Sequence, residues 1–499
     1  MSTAGAIAEK FLYEIWKNQE FKKEIHTSEG DKIEILERGV IGTDTGGPDF
    51  KNARIKIGNI TYVGDVEIDN FYSDWKNHGH HLNPRFNKVI LHAVLEDDLK
   101  RGVVFTKDGR KVPSVSFFDF IDSTLQDSFR DAVKSESHCR VSKIPCKQLI
   151  EMMSETERVE FLNRLGIDRF KKKCERLAYR LKELLYMQEM KIKEPDINYD
   201  IPIEYLERRV TYDELNKKDI WNQLLYENVF EALGYSQNKI IMRKLAVAAD
   251  VPFLRKINKA GEFKENAESA LFIIGGLLNE NSKATDDASV EYLRDLNERW
   301  LKINNLYDGK YFENEDWSYF RLRPQNFPAI RIAGGVRILD LLLNHNLLQV
   351  LIKKSTEIAN LEVLVSSIRS VFVIKSDGYW SSHYVFDKSN NVEIKYFVGS
   401  SRVDEMLINV ILPFLYLYYN LFGKKHYASK ILKVLTNIKF DLDNSLIKDV
   451  AESLGVGNSS KSALIYQGMI ELFRHYCTKD KCEECEIGDK VFKMNSLYD

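Results

Sequence analysis

The sequence predicts an α+β protein, with a small N-terminal mixed α/β sheet domain followed by a large, mainly helical region. Three observations predict it. Residues on both sides of Gly58-Asn59 alternate between apolar and polar, as the arms of a hairpin do. Two short apolar runs rich in valine, "KVILHAV" and "KVPSVSF", follow the hairpin and read as further strands. From about residue 120 the apolar period lengthens to that of a helix, in charged segments such as "SETERVEFLNRLGIDRFKKKCERLAYRLKELLYM".

Taken in order, Ile7, Ala8, Phe11, Leu12, Ile15 and Trp16 recur at helical spacing and predict an opening helix. "DKIEILERGV" predicts a strand, and residues 53–57 and 60–68 predict the hairpin. A two-residue loop with glycine first suits a type II′ turn. The polar connector "SDWKNHGHHLNPRFN" precedes the strand "KVILHAVLEDD", and "KVPSVSFFDFI" holds another. Ser154 followed by Glu157 marks a helix start. "KIKEPDINYDIPIEY", residues 191–205, has two prolines and no apolar stripe, and predicts a linker. Helical patterns resume at "DIWNQLLYENVFEALGY", with a less regular, β-containing interval at 371–400. The expected division is 1–125 for the sheet domain, 126–300 and 301–475 for helical regions, and 476–499 for a cysteine-containing tail.

Composition excludes several classes. Hydrophobic content of 44% and charged content of 29% are those of a globular chain. A net charge of −2 gives no global basic signal, so any nucleic-acid surface is local. The uncharged stretch "MLINVILPFLYLYYNLFG", 406–423, contains Pro413, two asparagines and three tyrosines. It predicts a buried helix bent or started near Pro413 rather than a membrane span. The start of the chain lacks a basic segment followed by a clean apolar run, which predicts a cytoplasmic protein with reduced cysteines. Nothing specifies a protein partner.

The feature that asks for explanation is "GGPDFKNARIKIGNITYVGDVEID". Asp65, Glu67 and Asp69 alternate along one strand, although crowded carboxylates repel. Counting outward from the turn puts Phe50 opposite Glu67, with Asp49 on the other face. An extra residue at Gly64 shifts that register by one and sets Lys51 against Glu67 and Asp49 against Asp69. Asp49, Glu67 and Asp69 then share a face and can hold Mg²⁺ or Mn²⁺, which favour oxygen ligands. That chemistry suits metal-assisted displacement at phosphorus. The competing reading is solvated surface charge beside an ordinary Gly-Pro-Asp turn.

"PDF" followed by "VEI", between a leading helix and a later strand, resembles the PD-(D/E)XK nuclease core. The resemblance covers about residues 1–120. It implies a restriction-endonuclease-like domain, with Asp49 and Glu67 as metal ligands and a lysine two residues on to assist the attacking water. This chain has Asp69 there, so Lys76 or Lys88 is the available substitute, and Glu14 a further ligand. More broadly, "GPDFKNARI", "GDVEI", "SDWKNHGHH", "VILHAV", "LRPQNFPAIRIA" and "YCTKDKCEECEIG" resemble a bacterial family known only as a domain of unknown function. That resemblance implies histidine at position 69, so Asp69 departs from both patterns.

Three other groups carry chemistry. His78, His80, His81 and His92 can bind a transition metal or move protons, or simply face solvent as loop histidines do. Cys477, Cys482 and Cys485 have a C-x4-C-x2-C spacing that suits structural zinc, with an iron–sulfur cluster or free thiols as alternatives. His475, Cys139 or Cys146 could supply the fourth ligand. Arg321, Arg323 and Arg331 are interleaved with aromatics and prolines, in a pattern suited to phosphate and base contacts or to tying loops down. The expected function is metal-dependent hydrolysis of DNA or RNA, with catalytic candidates Asp49, Glu67, Asp69, Lys76 and His80. The alternative is a non-catalytic scaffold that binds nucleic acid or protein and carries a structural metal in its tail.

Overall fold

The computed structural model describes residues 16–17, 24–41, 47–96, 102–117, 120, 144–192, 201–278, 284–319, 322–387, 389–390, 393–439, 445–457, 461–479 and 481–495. It divides into two compact units, one of 1–141 with 313–328 and one of 142–312 with 329–499. The return of 313–328 to the first unit has no signature in the sequence.

The first unit is built on a mixed sheet. Its strands are β1 (Ile25–His26), β2 (Lys32–Glu37), β3 (Val40–Ile41), β4 (Phe50–Ile57), β5 (Ile60–Phe71), β6 (Val89–Glu96), β7 (Val103–Phe105) and β8 (Lys111–Ser116). The order is β1-β2-β4-β5-β6-β8-β7, with β3 also paired to β4. The β4–β5 hairpin closes at Gly58, whose φ of +58° fits the first position of the expected turn. β5, β6 and β8 run parallel. A parallel pair needs a crossover connection. The segment from Tyr72 to Lys88 supplies it with a short helix, Asp74–Asn77, and two 3₁₀ turns, His80–Leu82 and Pro84–Lys88.

Alternation then gives the sheet two different faces. Val66, Ile68, Leu91, Ala93, Val115 and Phe117 bury one face with Trp16 and Phe50. Trp16 and Lys17 are helical; the rest of the predicted opening helix, including Glu14, lies outside the described residues. The opposite face carries a smaller cluster of Tyr72, Trp75, Phe86, Val89, Val104 and Val112. Trp75 is core, as expected, and its indole N–H donates to the Phe105 carbonyl at 2.9 Å.

The second unit is helical. Its longest helix, Glu155–Met190, starts at a capping box between Ser154 and Glu157. That helix lies close against Ala463–His475. The close approach requires glycine, since a Cβ at Gly468 meets the Leu162 carbonyl oxygen at 2.0 Å and one at Gly166 meets that of Leu464 at 2.3 Å. The β-containing interval is a two-stranded antiparallel pair, β9 (Ile374–Lys375) and β10 (Tyr396–Val398). The apolar stretch at 406–423 is buried; it runs through a π-helical turn, Leu407–Ile411, into a helix with Pro413 in its first turn. No single helix among the described residues is long and apolar enough to cross a membrane. One pair bent by 72°, Pro328–Leu343 with Leu347–Glu357, passes on length and composition.

Candidate metal centre

The acidic strand folds around a bulge, but not the one expected. Ala53 pairs with Gly64 and Phe50 with Val66, so the extra residue lies on β4, between Phe50 and Ala53. Asn52 absorbs it with φ of +57°, a left-handed conformation that asparagine tolerates, and its amide donates to Asp65 Oδ1 at 3.0 Å. Gly64 is glycine for another reason. A Cβ there meets the Lys88 carbonyl oxygen at 2.4 Å and Ile90 Cγ2 at 2.5 Å, so β6 approaches too closely for a side chain.

This register sets Asp49 against Glu67 rather than Asp69. The Asp49 amide donates to Glu67 Oε2 at 3.2 Å, and the Ile68 amide donates to Asp49 Oδ2 at 2.8 Å. Asp49 is half-buried, while Glu67 and Asp69 are almost wholly buried. They are not the solvated charges of the competing reading.

The crossover explains what surrounds them. It carries the polar connector over the face to which Glu67 and Asp69 point. His78 Nδ1–H donates to Asp69 Oδ1 at 2.8 Å. His80 Nε2 lies 3.1 Å from Glu67 Oε1 and 3.5 Å from Asp69 Oδ2. From the sheet itself, His92 Nε2–H donates to Asp69 Oδ2 at 3.2 Å, and its Nδ1 meets the Ser114 hydroxyl at 3.1 Å. Glu67, His92 and Ser114 pair across β5, β6 and β8, so the register alone aligns them. Trp75 and Phe86 wall the His80 ring, with centroids 5.3 and 4.1 Å away. Gly79, at φ of +78°, lets the connector pass beneath Tyr319, whose Cβ would lie 3.0 Å from a side chain there.

Burial pushes the Asp69 carboxyl up, but the charge of His80 and hydrogen bonds from His78, His80 and His92 outweigh it and hold Asp69 well below the usual carboxylate range. One ligand atom each from Asp69, His78 and His80 lies within 4.8 Å of the others, the one such set of His, Cys, Asp and Glu among the described residues. Two imidazoles and a carboxylate form a donor set that Mn²⁺, Fe²⁺ or Zn²⁺ accepts more readily than Mg²⁺.

The other candidates divide. His78, His80 and His92 are buried and turned to the carboxylates, which corrects the solvent-facing reading. The signal was the connector length: a parallel crossover this short must lie over the sheet face, and polar residues on it must meet the polar residues below. Lys76 and Lys88 are exposed, Lys76 on the short helix between the buried Trp75 and His78. Arg331 is no phosphate contact. It is 6% exposed, donates to the Phe397 carbonyl and, at 2.8 Å, to the Tyr235 hydroxyl, and lies over the Tyr235 ring. Arg323 is exposed, and Arg321 lies outside the described residues.

In the second unit, Cys477, Cys482 and Cys485 gather with Cys146 around a cavity of about 10 Å³. Burial pushes the Cys146 thiol up to about 11 and that of Cys477 up to about 12, with the neighbouring cysteines adding to both. Cys139 lies outside the described residues, and His475 is half-exposed near Glu471 at 3.6 Å.

Fold and site together define an α+β protein with a buried carboxylate–imidazole centre at the crossover of its sheet. The chain belongs to DUF2851, a family of proteins of unknown function, whose model matches residues 9–191 and 203–444. No curated protein and no solved structure matches it.

Proposed function

We propose that the first unit is a metal-dependent phosphodiesterase of the nuclease type, acting on DNA or RNA in the cytosol. The observation that carries the reading is the convergence of Asp69, His78 and His80 beside the Asp49–Glu67 pair. Three carboxylates crowded at a largely buried place need positive charge, and imidazoles supply it only while protonated. A divalent cation held by Asp69, His78 and His80 offsets that charge at neutral pH. Such an ion polarises a phosphoryl oxygen and lowers the pKa of a bound water. Mn²⁺ fits these donors better than Mg²⁺.

The chain's own residues divide the remaining work. Asp49, the most open of the acids, faces an approaching phosphodiester. Its hydrogen bond from the Ile68 amide fixes its carboxylate against Glu67. His92, oriented by Ser114, holds the second oxygen of Asp69 in place. His80, between Glu67 and Asp69, sets its Nε2 beside both carboxylates, where a ligand to the shared ion belongs. The PD-(D/E)XK resemblance supports the same chemistry through Asp49 and Glu67. A second reading, a non-catalytic binding protein, is supported by one observation: where that core has lysine this chain has Asp69, whose oxygens already accept from His78 and His92.

The test is cleavage of single- and double-stranded DNA and RNA by the purified protein with Mn²⁺, with Mg²⁺ and with EDTA. Cleavage with Mn²⁺ that disappears with EDTA and in Glu67→Gln supports the enzyme. A protein that binds one Mn²⁺ yet cleaves none of these substrates supports the binding reading.

A further inference from the structure

The cysteine tail is left unused by that chemistry, and its geometry says more than its spacing. Cys146 enters on the 3₁₀ segment Pro145–Met152, more than three hundred residues before the tail. Cys477 follows the helix Ala463–His475, and Cys485 directly precedes the last helix, Glu486–Asn495. All four cysteines line one small cavity with Leu472, Tyr476, Ile487 and Gly488. Cys146, Cys485, Ile487 and Val491 belong to the same apolar core as Phe161, Leu162 and Met469.

The backbone around Cys482–Cys485 is wrapped about sulfur. The Cys485 amide donates to the Cys482 carbonyl at 3.2 Å. The amides of Ile487 and Gly488 are directed at the Cys485 sulfur. Gly488 presses so close that a Cβ there meets the Cys482 carbonyl oxygen at 2.4 Å. Burial pushes the Cys485 thiol up, and these two amides act against that rise. The Tyr476 carbonyl accepts from the amides of Lys479 and Lys481, both at 3.1 Å, which folds the Cys477–Cys482 loop back toward the cavity.

We propose that Cys146, Cys477, Cys482 and Cys485 form a structural four-thiolate Zn²⁺ site that fastens the C-terminal helix to the start of the second unit. Four thiolates in tetrahedral array are a closed zinc set with no place for substrate. No three of these sulfurs lie within 4.8 Å of one another, so the ion draws them inward; tetrahedral zinc with bonds of about 2.3 Å sets neighbouring sulfurs about 4 Å apart. The family match ends at 444, ahead of three of the four ligands.

The full chain, purified under reducing conditions, is to be assayed for zinc, for release of zinc by a mercurial, and for the absorption of its Co²⁺-substituted form. The same measurements on Cys482→Ser, Cys146→Ser and His80→Ala separate this site from the carboxylate–imidazole centre. Thiolate-to-cobalt bands in the wild type and His80→Ala, weakened or lost in both cysteine variants, are the expected result. A far-ultraviolet spectrum for each variant shows whether it has folded; unfolded cysteine variants beside a wild type with one mercurial-releasable zinc still support the site. Four free thiols without metal, a disulfide, or the visible absorption of an iron–sulfur cluster overturns it.

Discussion

Asp49 and Glu67 are locked together across the hairpin: the Asp49 amide donates to Glu67 at 3.2 Å, while the Asp49 carboxylate accepts from the amide of Ile68 at 2.8 Å. Each acid is therefore tied to the other's strand, and the pairing exists only because Asn52 takes up an extra residue on β4. Had the extra residue fallen on β5, Asp49 would face Asp69 instead.

The hydrogen bond to Ile68 separates shape from charge. Asp49→Asn keeps an acceptor for the Ile68 amide and changes stability little. Asp49→Ala leaves that amide without its acceptor, at a cost of about 1–3 kcal/mol. Both remove the carboxylate, so on the proposed function both lose cleavage. Urea unfolding beside the nuclease assay checks this, and retained cleavage in Asp49→Asn would assign Asp49 to shape alone.

Gly64 tests the reason for the glycine. Its place in the sequence suggests a bulge, but the contacts say that β6 leaves no room for a side chain, with a Cβ 2.4 Å from the Lys88 carbonyl oxygen. Gly64→Ala forces β5 and β6 apart at the strand that carries Glu67 and is expected to cost about 1–3 kcal/mol or more. Thermal unfolding of this variant checks the contact. An unchanged midpoint would show that the sheet gives way freely there.

In the second unit, Glu227 is 1% exposed and accepts both Arg180 Nε at 2.7 Å and Arg180 Nη2 at 2.9 Å. Removing Glu227 takes two bonds from the Arg180 guanidinium and leaves it Glu183, at 2.8 Å. Glu227→Ala is expected to cost about 1–3 kcal/mol, whereas the double change Arg180→Met with Glu227→Met recovers part of the loss because neither charge of the buried pair remains. Chemical denaturation of the single and double variants measures the difference.

Period and turn chemistry made much of the fold legible. The hairpin, β6, β8, the capping box at Ser154 and the core position of Trp75 all follow from local rules that tertiary contacts reinforce. The centre was half legible. Glu67 and Asp69 stood out as alternating acids, but the role of His92 depends on which strands lie side by side, and a parallel crossover cannot be counted out from a turn. Cys146 shows the same limit, since nothing near it in sequence marks it as a neighbour of Cys485. Arg331 failed for the opposite reason: its surroundings read as a phosphate site, yet Tyr235 and Phe397, both distant in sequence, take its guanidinium. Local pattern showed which residues were unusual, while the long-range register decided what they meet.

Glu157 gives the tail helix a pH dependence whose direction is fixed. Its carboxylate pairs with Lys490 on the last helix and accepts from the Ser154 amide and hydroxyl at 3.1 and 2.8 Å. The Lys490 bond first, and the Ser154 bonds next, pull its pKa down to about 2 from an ordinary 4.5. A carboxylate whose pKa is lower in the folded state stabilises fully only above its unfolded value. The contribution is therefore complete above about pH 5, falls as the pH drops through the ordinary carboxylate range, and is gone below about pH 2. Glu157→Gln removes the ionisation and so removes this dependence. The stability difference between wild type and Glu157→Gln is expected to be constant from neutrality down to about pH 5 and to shrink steadily at lower pH. Denaturant midpoints at a series of pH values check it, at raised salt as well, since a surface pair is screened. A difference that grows on acidification would mean that the carboxylate is better paired in the unfolded chain, and that Lys490 does not anchor the tail through Glu157.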